Sequence, residues 1–119
     1  MKPRRVLTSG DFKPMPKIVC LCGSTQFVEQ FQLANYEETM AGNIVLSAGV
    51  YKAHGGQRDC TPEQKIALDE LHKRKIDLAD EVLVLNVGGY IGDSTRNEIE
   101  YATRLGMRIR YLEQREPSQ

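Results

Sequence analysis

An α/β fold built on a small parallel sheet is predicted by three features of this chain. Short apolar runs alternate with longer stretches of helical spacing, in the order β-α-β-α-β-α-β. Each run is followed by a turn signal and then a helix start, as in strands joined by crossover helices. The third run, Val82 to Leu85, is apolar throughout, which suits a strand buried on both faces. Helices on both faces make the sheet doubly wound, with strand order 2-1-3-4 and a flavodoxin-like or Rossmann-like form.

Taken in order, Met1 to Pro16 holds three prolines and mixed charge, and reads as a flexible leader. Ile18 to Cys22 is the first strand. Gly23-Ser24-Thr25 turns into a helix over about Gln26 to Met40, with Phe27, Phe31, Ala34 and Tyr36 near helical spacing. Gly42 stops it, and Ile44 to Leu46 is the second strand. A loop from Ser47 to Cys60 carries Tyr51 and His54. Thr61-Pro62-Glu63-Gln64 then opens a helix as a capping box with proline at the first position. That helix runs to about Leu78, with Ile66, Leu71 and Ile76 expected in the core. After the third strand, Asn86 and a glycine-rich turn lead to Asp93-Ser94-Thr95 and a helix over about Arg96 to Leu105, with Glu98 in its first turn. Gly106 ends it, Ile109 to Leu112 is the last strand, and residues 114–119 are a polar tail. Residues 17–113 form one domain, a size that 119 residues allow and that leaves no room for a second.

Composition narrows the functional classes. The formal net charge is zero and the two signs are interspersed, so there is no basic footprint for nucleic acid or an anionic membrane. No apolar run approaches a membrane span, and the first residues lack a signal-peptide core. Three cysteines, Cys20, Cys22 and Cys60, are an odd number, two of them inside a strand. Reduced thiols in a cytoplasmic protein are therefore expected, with Cys20 and Cys22 as core-filling side chains and no metal site.

Two loops carry the candidate chemistry. Strand order 2-1-3-4 sets the carboxyl ends of the first and third strands side by side, where open α/β sheets bind ligands. In Cys22-Gly23-Ser24-Thr25, glycine permits close approach of an anion, and Ser24 and Thr25 supply hydroxyls beside a helix N-terminus. The same hydroxyls also suit a helix cap. The chain contains neither GxGxxG nor GxxxxGK[ST]. In the second loop, Gly89, Asp93, Ser94 and Thr95 precede Glu98. Thr95 and Glu98 have capping-box spacing, and Glu98 equally suits a carboxylate nucleophile at a sugar anomeric carbon. Asp69, His72 and Asp77, on the second helix, are candidates to assist, while Asp69 and His72 also read as an exposed i,i+3 pair. Tyr51 and His54 suit contact with a base, and His54 equally suits an ordinary loop histidine. Glu100 reads as a solvated charge. A receiver domain would need an acidic cluster at the first strand end, where this chain has Cys22-Gly23-Ser24; a flavin site would usually bring aromatics to stack on the ring, and the chain has no Trp.

The strand–CGST–helix pattern, followed by ADEVLVLNV, a glycine-bearing loop, DST-x-x-E and a following YA, resembles the nucleoside 2-deoxyribosyltransferase-like superfamily. That superfamily includes 2′-deoxynucleoside 5′-monophosphate N-glycosidases. The resemblance spans about Lys17 to Leu112. It is nearest to a short branch with the signature HxRKIDLADEV-x-V-x-NVGGYIG-x-ST-x-x-EIEYA, which begins here at His72. It implies that Glu98 is the catalytic glutamate, that Gly23 and Ser24 hold sugar or phosphate, and that Ser94 lies on the phosphate or sugar side. It further implies cleavage of a nucleoside or nucleotide glycosidic bond without metal or cofactor, in a dimer or larger homo-oligomer. Glu100 stands where the superfamily has glycine, and His72 stands, by spacing, where it has a catalytic aspartate. A non-catalytic nucleotide-sensing module of the same fold is the alternative.

Overall fold

A computed structural model describes residues 14–51 and 60–114 of the chain. Most of the expected leader and tail, and His54, lie outside the described residues. The elements are β1 (Ile18–Cys22), α1 (Val28–Met40), β2 (Ile44–Leu46), α2 (Pro62–Leu78), β3 (Glu81–Val84), a 3-10 turn (Val87–Gly89), α3 (Asp93–Arg104) and β4 (Arg108–Tyr111). All pairings are parallel and the strand order is β2-β1-β3-β4, as the alternating pattern predicts. Among the described residues, no helix is long and apolar enough to cross a membrane.

Strand alternation builds two cores from the same strands. Val19 and Leu21 of β1, with Leu83 and Leu85, face α1 and pack on Phe31 and Ala34. Cys20 and Cys22, with Val82 and Val84, face the other way, against Ile76 of α2 and Ala102 of α3. The strands are thus covered on both faces, which is why β1 and β3 read as continuous apolar runs.

Several expectations are corrected by the packing. Ile66 and Leu71 are exposed rather than core, because α2 turns the His72–Ile76 stripe inward and these two flank it. Tyr36 is exposed, lying well round the helix from Phe31 and Ala34. Helix α1 starts at Val28, with Phe27 rather than Ser24 or Thr25 at the cap position, and Phe27 makes no side-chain cap bond. Helix α3 starts at Asp93, three residues early, and its cap is Gly92. Thr95 and Glu98 therefore form no capping box, and Glu98 lies in the second turn. The Thr61–Gln64 capping box is present in both directions.

Two details lock the carboxyl edge of the sheet. The Leu85 amide donates to the Cys22 carbonyl at 2.8 Å, drawing the Gly23 turn against β3. A Cβ at Gly23 would lie 3.1 Å from the Leu85 Cβ and 3.2 Å from its carbonyl oxygen, so glycine permits the approach. At the end of β3 the buried Asn86 side chain donates to the Glu113 carbonyl at 3.1 Å and accepts from its amide at 2.9 Å. Gly88 and Gly89 complete the turn with φ of 63° and 84°, a left-handed conformation that favours glycine.

Candidate functional site

The adjacent ends of β1 and β3 open onto a cavity of about 320 Å³, at the small end of ligand pockets. Both predicted loops supply walls: Gly23, Ser24 and Thr25 from the first, and Asp93, Ser94 and Thr95, with Glu98 of α3, from the second. Asp69 and His72 of α2 reach the same space. Apolar surface comes from Leu21 and Phe31.

Helix α3 places Glu98 on its buried stripe. Thr95, Glu98 and Ala102 follow i, i+3, i+7 and are all buried. The face that buries Ala102 thus carries a carboxylate inward one turn earlier, where the cavity begins. Glu98 is 8 % exposed, and it lines the cavity. The first amides of α3 have no partner within the helix, so Asp93, Ser94 and Thr95 present N–H donors at the positive end of the helix dipole.

His72 ties Glu98 to the sheet. Its Nε2 lies 3.9 Å from a Glu98 oxygen, 3.6 Å from the Cys20 sulfur, 3.5 Å from the Cys22 sulfur, and donates to the Leu21 carbonyl at 3.1 Å. Burial raises the Glu98 pKa, against the opposing pull of His72 and a hydrogen bond with Cys22. Burial opposes protonation of His72, but the Cys20 hydrogen bond and the Glu98 charge outweigh it and raise the pKa. A hydrogen bond from Cys22 lowers Cys20 to about 6, and the reciprocal effect, with burial, pushes Cys22 up. The four side chains form one buried polar unit inside an otherwise apolar core.

The other candidates fall into two groups. Asp69 does not pair with His72; Lys65 grips it at 2.6 Å and also donates to Ser94 at 2.6 Å. Ser94 is 3.4 Å from the same Asp69 carboxylate, so α2 and α3 are pinned together at the cavity rim. Three candidates do not line the cavity. Asp77 accepts from the Tyr101 hydroxyl and pairs with Arg74 on the outer side of α2. Gly89 serves the turn after β3, its amide donating to the Asn86 carbonyl. Tyr51 packs edge-on against Phe31, ring centroids 5.4 Å apart, and shares a hydrogen bond with Ser47. Glu100 is exposed, as a solvated charge should be.

Sequence reasoning missed four contributors. Lys65, Lys75 and Tyr90 line the cavity. Lys75 reaches across to the Ser47 carbonyl at 2.7 Å, and Tyr90 stands edge-on to Phe27. Lys65 was legible in part, since it lies one turn before Asp69 on the stripe that leads to His72. The Cys20–Cys22 pair facing His72 is the fourth. Their i, i+2 spacing puts both sulfurs on one face of β1, a signal that acquires meaning only when α2 is known to cover that face. No protein-family model matches the chain, and no similar chain was found among curated proteins or solved structures.

Proposed function

We propose that the protein cleaves the N-glycosidic bond of a nucleoside or nucleoside 5′-monophosphate, with Glu98 as nucleophile. The observation that carries this reading is a buried carboxylate opening onto the same small cavity as the Gly23–Thr25 turn and the first turn of α3. The resemblance to the nucleoside 2-deoxyribosyltransferase-like superfamily assigns the same glutamate.

In this reading the pentose lies between the two walls. The hydroxyls of Ser24, Thr25 and Ser94 and the first amides of α3 suit a sugar hydroxyl or a 5′-phosphate. The Glu98 carboxylate attacks C1′ through an oxocarbenium-like state, and the base leaves with the electron pair of the broken C–N bond and takes a proton. Water, or the nitrogen of a second base, then displaces the Glu98 oxygen from C1′ and restores the free carboxylate. His72 positions Glu98, and the Lys65–Asp69–Ser94 set fixes the rim. This chemistry is acid/base and covalent. A homo-oligomer belongs to the same proposal, and sedimentation of the purified chain tests it.

A panel of nucleosides and their monophosphates, ribo and deoxy, assayed for free base, tests the reading. Turnover of at least one, lowered on the order of 10³-fold or more in Glu98→Gln, is expected. Unchanged turnover in Glu98→Gln, or none with any compound, contradicts it. Thermal stabilisation by a nucleotide without turnover favours the sensing module instead.

A further inference from the structure

The cluster behind the cavity has the donor set of a metal site. Among the described residues Cys20, Cys22 and His72 form the group whose ligand atoms lie within 4.8 Å of one another. Two thiol sulfurs and an imidazole nitrogen are the ligands that zinc favours. The His72 Nε2 to sulfur separations are 3.6 Å and 3.5 Å. Zn–S and Zn–N bonds of about 2.3 and 2.0–2.1 Å at a tetrahedral angle give an N···S edge of about 3.6 Å.

We propose that Cys20, Cys22 and His72 bind one zinc ion, with the fourth coordination position turned toward Glu98 and the cavity.

The fold brings the three ligand atoms together. Strand alternation aims both sulfurs at one point, and His72 arrives from α2, one turn before Ile76 of the same core. Charge favours it as well. Two thiolates and a neutral imidazole around a divalent ion make a neutral unit, so the ion adds no net charge to the buried cluster. Binding forms two Zn–S bonds and one Zn–N bond, sends the protons the thiols still carry to solvent, and moves the Nε2 proton of the neutral imidazole to Nδ1, so that the metal bond replaces the hydrogen bond to the Leu21 carbonyl. The Glu98 oxygen, 3.9 Å from Nε2, stands at the fourth position's border rather than in the ligand set. His72 and Glu98 line the cavity, which gives the ion its way in. Cys60, the remaining thiol, lies apart at the start of α2.

The test needs no substrate, so it is independent of the glycosidic reading. Reduced protein, stripped with chelator, is titrated with cobalt(II) and then with zinc. The expected result is one cobalt per chain, with thiolate-to-metal charge-transfer absorption and the strong visible bands of tetrahedral cobalt. Zinc should displace the cobalt and raise the melting temperature by several degrees. Cys60→Ser should behave as wild type, and Cys20→Ser should lose the charge-transfer band or halve it. A wild-type cobalt spectrum without thiolate absorption overturns the proposal whether or not the variants fold. So does a wild-type signal retained in Cys20→Ser and Cys22→Ser but lost in Cys60→Ser.

Discussion

Glu98 is an acidic residue where α3 places its core-facing side chains, and that position is costly unless something uses it. Burial holds its carboxyl above the ordinary range, and its neighbours are an imidazole and a thiol rather than a lysine or arginine. Perturbed groups of this kind concentrate where chemistry is done. Gly23 makes a complementary point about space. A methyl group there would press on Leu85 at 3.1 Å. Gly23→Ala should cost about 1–3 kcal/mol as the turn and β3 move apart. Urea unfolding reads this as a lower midpoint at unchanged slope, and a midpoint equal to wild type would show that the turn yields freely. Because that turn lines the cavity, the same variant should also weaken nucleotide binding if the proposed function holds.

At the scale of elements, the helix starts were the least legible part of the chain. The α2 start was read correctly because its cap is written in side chains: Thr61, Pro62 and Gln64 each have one local role. Thr61→Ala should therefore lower stability by about 1 kcal/mol, as a shift in melting temperature of several degrees; no shift would mean that α2 is held by packing alone. The starts of α1 and α3 carry no such signature. Phe27 and Gly92 hold the cap positions without a side-chain bond, so tertiary packing sets where those helices begin. The spacing of Thr95 and Glu98 imitates a capping box, and only the earlier start of α3 frees Glu98 to face the cavity. The strands were easier. Runs such as Val19 to Cys22 and Val82 to Leu85 are apolar at every position because both faces are covered. Sequence alone does not say which helix covers which face. For that reason Cys20 and Cys22 read as filler, and their meeting with His72 did not show.

Across the whole molecule the site rests on a sheet whose opposite end is tied by charge. Glu81, buried on β3, pairs with Lys17 at 2.9 Å and with Arg110 of β4. Arg110 also pairs with Glu38 of α1 at 2.9 Å. This network links the first residues of the domain, α1, β3 and the edge strand β4. Arg110 holds the Glu38 carboxyl below its ordinary pKa; for Glu81, Lys17 and Arg110 together outweigh the raising effect of burial. A carboxyl with a lowered folded-state pKa stabilises the fold above its unfolded value of 4.5, and the contribution fades as pH falls below that toward the folded value. The part of the stability that these two carboxyls carry should thus be flat near neutrality and drop below about pH 4.5. Arg110→Gln should remove much of that drop while lowering stability at pH 7 by about 1–3 kcal/mol. Chemical unfolding at pH 7 and pH 4 measures both, and an equal acid loss in wild type and variant would show that other carboxylates govern it.

As nucleophile, Glu98 would bond through a carboxylate oxygen to the sugar carbon during turnover, and mass spectrometry of acid-quenched reactions detects such an adduct. With a substrate found by base release, the expected result is a pentosyl or phosphopentosyl adduct on the peptide that carries Glu98, present in wild type and missing in Glu98→Gln. Turnover without an adduct on that peptide, or with the adduct on another residue, would contradict it.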